Sequence, residues 1–290
     1  MLNIKKVALS CALLIGLNAG SAQAQECGEV TITEMDWGSA IIVTQVAKFL
    51  LEQGYGCSVT TVPSASVPAL ASVSETGKPD IITELWTNGA PAYVPLLEAG
   101  KINELTRVLS DGGLEGLFIP VYLAEAHPEL TTIEGVLANP DLVGNRMHNC
   151  PVGWNCQTVA TNVAKGGGFE AAGIEDFVHG SGETLTASIG AAYAAKEPWF
   201  GYYWTPSLVM GKFPMVQVDL GPHDPSKQAC NSDKDCATPT MQSWPSSVVT
   251  TVVTSEFESS HPAETDLMRN LSFTNEMMNS LLAVSYTHLR

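Results

Sequence analysis

Between residues 30 and 85 the hydrophobic pattern changes period again and again, and that alternation restricts the chain to few folds. Residues 30–35 read as a strand, and residues 40–53 place Ile41, Ile42, Val46, Phe49 and Leu50 at helical spacing before Gly54. Residues 57–62 alternate as a second strand, a short helix over 67–73 ends at Gly77, and the Pro79-Asp80 turn leads into an apolar run at 81–85. The order is β-α-β-α-β. Right-handed crossovers then set the strands in a largely parallel sheet with helices on its faces.

The same style recurs with a strand at 121–123, a helix at 133–137, a loop closed by Cys150 and Cys156, and a helix at 157–165 stopped by Gly166-Gly167-Gly168. A helix at 185–195 and a strand at 199–204 follow. After a polar loop around Cys230 and Cys236, residues 248–254 form a β-branched strand, with helical segments at 263–271 and 275–282. A chain of 290 residues has length for about two domains of roughly 150 each. Two α/β lobes are the economical arrangement, each a mainly parallel sheet flanked by helices with a ligand cleft between them. Residues 25–115 begin the first lobe, 116–247 form the second, and 248–283 return to the first. Residues 284–290 do not continue the helical pattern and read as a non-native tail.

The N-terminus carries Lys5 and Lys6, an apolar run over 7–17, and the small-residue stretch Ala22-Gln23-Ala24, which is the order of a cleaved export signal over 1–24. The apolar run is shorter than the roughly 20 residues needed to span a bilayer. Removal of the signal takes Cys11 with it and leaves six cysteines in an oxidising compartment. Spacing pairs Cys150 with Cys156, Cys230 with Cys236, and Cys27 with Cys57 across the first strand-helix-strand unit. His148 beside Cys150 raises zinc as a competitor, but no C-x-x-C or H-x-x-x-H spacing supports four ligands, so neither metal nor cofactor is expected.

A formal net charge of −16 repels phosphate backbones and sets nucleic acid aside as a partner. No G-x-S-x-G elbow, H-E-x-x-H or P-loop is present, which argues against a hydrolase and against catalytic residues generally.

Four of the six tryptophans sit where a binding crevice would be. Trp37 follows the first strand, Trp86 follows the run at 81–85, and Trp204 ends the strand at 199–204; ligands of open α/β sheets lie outside the carboxyl ends of strands. Trp154 lies in the cysteine-closed loop. Several aromatic faces around one crevice suit a quaternary ammonium, with an apolar or sugar-stacking pocket as the alternative. The backbone N–H groups of Asn155 and Cys156 open the next helix and form an anion site, so the pair of features fits a zwitterion such as glycine betaine. Tyr202 shares a strand face with Trp204 and forms a further wall, whereas Tyr203 faces the other way. Asp36, beside Trp37, would favour a cation without a carboxylate, such as choline.

The motifs Glu84-Leu-Trp-Thr87, Cys150-Pro-Val-Gly-Trp-Asn-Cys156 and Tyr202-Tyr-Trp-Thr-Pro206, in that order along the chain, resemble the substrate-binding proteins of glycine betaine and proline betaine importers. The resemblance covers nearly all of the mature chain. It implies a type II-like periplasmic binding protein, monomeric and working with an inner-membrane ABC permease, in which Trp86, Trp154 and Trp204 form the box and Asn155 and Cys156 hold the ligand carboxylate. Trp37 matches a cage position of choline-type relatives. Some members place a His four residues after the first box Trp, where this sequence has Ala90. Glycine betaine, proline betaine, choline and sulfonium analogues all satisfy these features, and a chemoreceptor or sensor is an alternative recipient to the permease. Trp199 and Trp244 are expected to pack, and His127, His179, His223 and His261 to be solvated.

Overall fold

The computed structural model describes residues 27–288, so the export signal and Cys11 lie outside the described residues. Ten strands are formed among these residues: β1 (Glu29–Glu34), β2 (Ser58–Pro63), β3 (Ile81–Trp86), β4 (Ile102–Arg107), β5 (Leu114–Pro120), β6 (Arg146–Asn149), β7 (Glu175–Val178), β8 (Gly201–Thr205), β9 (Met215–Gln217) and β10 (Val249–Thr254). They build two sheets, β2-β1-β3-β10-β4 and β7-β6-β8-β5-β9, each flanked by helices. The result is two α/β lobes.

Both sheets are mixed, and for one reason. In the first, β2, β1, β3 and β4 run one way and β10 opposes them; in the second, β5 opposes the rest. These two are the strands by which the chain enters a lobe from the other. The carboxyl ends of β3 and β8 face the cleft, so a strand entering from the crossover starts at the cleft end and must run the opposite way.

The crossovers themselves are joined. Gly113 and Ser247 exchange backbone hydrogen bonds of 2.9 and 2.8 Å, which makes a two-stranded hinge. A Cβ on Gly113 would lie 2.2 Å from the Trp86 ring, so only glycine lets the hinge pass that indole.

Residues 121–123 are not a strand: β5 ends at Pro120 and helix Val121–Ala126 begins at once, since a three-residue apolar run carries no period of its own. The helix read from Ile41 and Phe49 runs over Gly38–Tyr55 and buries its small-residue face, Ala40, Val43, Ala47 and Leu51, while Ile41 and Phe49 are exposed. Its stop is Gly56 at φ 71°, whose N–H bonds the Glu52 carbonyl. The last helix, Asn275–His288, continues past residue 282.

All three cysteine pairs are disulfides: Cys27–Cys57, Cys150–Cys156 and Cys230–Cys236. Cys150 is therefore committed to a sulfur partner, and His148 Nδ1 meets His179 Nε2 at 2.9 Å. His179 is thus buried and paired, not solvated. Burial, then His179 and Arg146, pushes the His148 imidazole down to about 4. His261 is also engaged, with Nε2 2.8 Å from the Cys27 carbonyl, and His223 Nδ1 is 3.1 Å from the Ser243 carbonyl. Trp199 packs as expected, stacked on His148 with its N–H on Ser188 Oγ.

Candidate ligand-binding site

The tryptophans meet at the cleft because each ends or follows an element that points there. Trp37 precedes helix Gly38–Tyr55, Trp86 closes β3, Trp204 lies near the end of β8, and Trp154 immediately precedes helix Asn155–Gly166. Together with Tyr202, Asn155 and Cys156 they line one cavity. Seven of the eight residues picked out by sequence are therefore brought together.

The rings stand at steep angles to one another. Trp37 and Trp154 are 5.1 Å apart at 67°, and Trp154 and Trp204 are 5.3 Å apart at 75°. Tyr202 lies 6.3 Å from Trp204, and Trp244 backs Tyr202 at 5.8 Å. Tyr203 stacks at 4.4 Å on Trp204 and lines a second cavity that shares Trp37, Trp154 and Trp204 as walls.

Three of the four indole N–H groups are spent inside the protein. Trp37 and Trp86 both donate to Glu84 Oε1, at 2.7 and 3.0 Å, and Ser39 Oγ donates to the same oxygen at 2.8 Å. Trp154 donates to Asp36 Oδ1 at 2.7 Å. Asp36 is the eighth candidate, and it is not among the residues lining the cage; its carboxylate orients a wall from outside.

Glu84 sits two residues before Trp86 on a strand whose six residues are all buried, so both side chains face the same way. Burial raises its carboxyl to about 7, against the lowering effect of its bonds from Trp37, Trp86 and Ser39. The sequence reading passed over Glu84 as a separate group, although an acidic residue inside an apolar run is a signal in itself. It also missed Glu115, Ser66 and Gly89, which line the cavity. Glu115 is buried, accepts from Tyr202 Oη at 2.6 Å and from Ser247 Oγ, and is raised by burial against bonds from Ser247, Tyr202 and Asn88.

The mouth of helix Asn155–Gly166 is held against the first lobe. Asn155 Nδ2 donates to the Trp86 carbonyl at 2.9 Å, and a Cβ on Gly89 would come within 2.8 Å of the Asn155 carbonyl oxygen. The first N–H groups of a helix, here those of Asn155 and Cys156, have no intrahelical carbonyl to bond. Asn155 Oδ1 is buried and, among the described residues, without a partner. Further ties cross the cleft: Val67 N–H to the Gly153 carbonyl at 3.1 Å and Gln228 Nε2 to the Asn88 carbonyl at 2.7 Å. The lobes are closed on one another.

A sequence profile described as the substrate binding domain of the ABC-type glycine betaine transport system matches residues 28–284. The chain belongs to that family. Its members are transport substrate-binding proteins of the periplasm or cell exterior, not enzymes, and work with ABC permeases. No helix of the described residues is long and apolar enough to cross a membrane.

A comparison with curated protein sequences gives no match. Among solved structures, the glycine betaine/L-proline-binding protein ProX of Borrelia burgdorferi is similar with a TM-score of 0.73 and 18% identity over 89% of this chain and 87% of that one. An ABC-transporter choline-binding protein in complex with choline gives 0.70 and 17% over 91% and 84%. Lactococcal OpuAC, closed on glycine betaine, gives 0.68 and 15% over 90% and 91%. At these identities the likeness speaks for the fold.

Proposed function

We propose that the chain captures a quaternary ammonium solute, with glycine betaine as the leading ligand, in the aromatic cage and delivers it to an inner-membrane ABC permease. The observation that carries this reading is the set of steeply angled indole walls contributed by both lobes, Trp37 and Trp86 from one and Trp154 and Trp204 from the other. A fully alkylated ammonium has no N–H to satisfy, and its charge is best met by ring faces. Each such contact contributes about 0.5–2 kcal/mol. Several of them, with a carboxylate on the Asn155 and Cys156 N–H groups, approach the roughly −8 kcal/mol of micromolar binding after ordering costs.

The mechanism follows from the division of the walls. Neither lobe alone carries the cage, so ligand binds the closed state and shifts the population toward it. Choline is the second reading, favoured by the unpartnered acceptor Asn155 Oδ1, which would take a ligand hydroxyl. Calorimetric titration of the wild type, W154A and W204A with glycine betaine and with choline tests both. Saturable binding that weakens about tenfold or more in each variant is expected. Full affinity in both variants would remove the cage from the reading.

A further inference from the structure

Glu115 is a buried carboxyl whose hydrogen-bonding neighbours are all neutral. It accepts from the Tyr202 and Ser247 hydroxyls and is acted on by Asn88, and burial is the largest influence on it, raising it above the usual carboxylate range. Burying a carboxyl without a positive partner is costly, and a Gln of the same shape would meet the same hydroxyls without that cost. Its position is also particular. Glu115 is the register partner of Trp204 across β5 and β8, so it projects from the same face as Trp204 and Tyr202, and it lines the same cavity as those two rings.

Each carboxylate oxygen has two acceptor directions, and the two hydroxyls occupy one on each oxygen. Asn88 is a third neutral neighbour of the carboxyl, and Glu115 lines the aromatic cavity. Faces of aromatic rings attract positive charge weakly, whereas an ionised carboxylate in a water-poor site attracts it strongly. The groups that bond Glu115 carry no positive charge, and the cavity it lines is walled by Trp37, Trp86, Trp154, Tyr202 and Trp204.

We infer that Glu115 is the counter-charge of the bound ligand, making it the residue by which the site demands a positively charged onium group and rejects an uncharged molecule of the same shape. The inference rests on the quaternary ammonium reading above and deepens it. It places the charge selectivity of the site in one carboxylate, while the tryptophans supply shape and general affinity. A zwitterion and a simple cation both satisfy it. An alkylated carbon centre does not.

The test compares choline with 3,3-dimethylbutan-1-ol, its neutral carbon isostere, by calorimetric titration of wild type, E115Q, E115D and W204A, each shown folded by circular dichroism. Wild type is expected to prefer choline strongly. In E115Q that preference should fall about tenfold or more, with the loss on the choline side, and in E115D it should persist because the charge is kept. A merely structural role would move both ligands together. A preference that falls less than about tenfold in folded E115Q, or collapses in E115D, while W204A still weakens choline, overturns the assignment of Glu115. Choline binding that is absent from the wild type or indifferent to W204A overturns the quaternary ammonium reading itself.

Discussion

Trp154 of the second lobe donates its indole N–H to the Asp36 carboxylate of the first lobe at 2.7 Å. The bond spans the cleft and requires the lobes to be closed, so Asp36 holds the Trp154 ring in place. D36A should weaken glycine betaine and choline alike by about ten- to a hundredfold, the worth of one charge-assisted hydrogen bond of roughly 1.5–3 kcal/mol. Titration calorimetry reads the affinity, and solution scattering should show a wider unliganded ensemble. A loss confined to choline would instead make Asp36 a direct contact for the cation.

Glu84 ties stability to pH. Its carboxyl is raised by burial from 4.5 to about 7, so the folded protein holds a proton that the unfolded chain has released. Stability from this group is full below the unfolded value and is lost as pH rises through about 7, a decline on the order of 3 kcal/mol. Glu115 is raised by burial too and acts in the same direction. Urea unfolding at pH 5 and pH 8 should therefore show a smaller pH decline in E84Q than in the wild type. Parallel declines in the two would dissociate Glu84 from the effect.

Gly113 should tolerate no side chain. A Cβ there would lie 2.2 Å from the Trp86 ring, and the backbone cannot retreat while it pairs with Ser247. G113A is expected to cost about 1–3 kcal/mol in unfolding free energy and to weaken ligand binding by shifting the Trp86 wall. Wild-type affinity in the variant would mean that Trp86 can move without loss.

The Cys150–Cys156 disulfide should matter more for affinity than for stability. It closes a short loop, and loop-closure stabilisation is smaller for short loops. The loop carries Trp154 and leads into the Asn155 and Cys156 N–H groups, so C150S/C156S is expected to lose about tenfold in affinity with a modest change in melting temperature. Affinity unchanged in the doubly substituted protein would show that packing alone orders the loop.

The meeting of Trp37, Trp86 and Trp204 at one cavity was legible because they follow or end strands whose pattern is plain, and the disulfides because two short spacings left Cys27 and Cys57 for each other. The buried acids were harder. Glu84 and Glu115 look ordinary until the strands around them are known to be covered on both faces, and a charge has no period. The antiparallel insertion of β10 and β5 was hidden for a different reason: it follows from where the chain crosses between lobes, which no local pattern records. Nor does sequence distance reveal the His148–His179 pair, joined by neighbouring parallel strands. The small-residue face of helix Gly38–Tyr55 misled in the opposite sense, because alanines were given less weight than Ile41 and Phe49.

The inward use of the indole N–H groups of Trp37, Trp86 and Trp154 has a chemical consequence for what such a cage can distinguish. On the proposed reading, these rings would offer a guest their carbon faces and no donor, and would sense radius and positive charge without regard to the element at the centre of that charge. A tetraalkylphosphonium head of suitable size meets the same surface as its nitrogen counterpart. For walls of this kind the periodic table is reduced to a sphere with a sign.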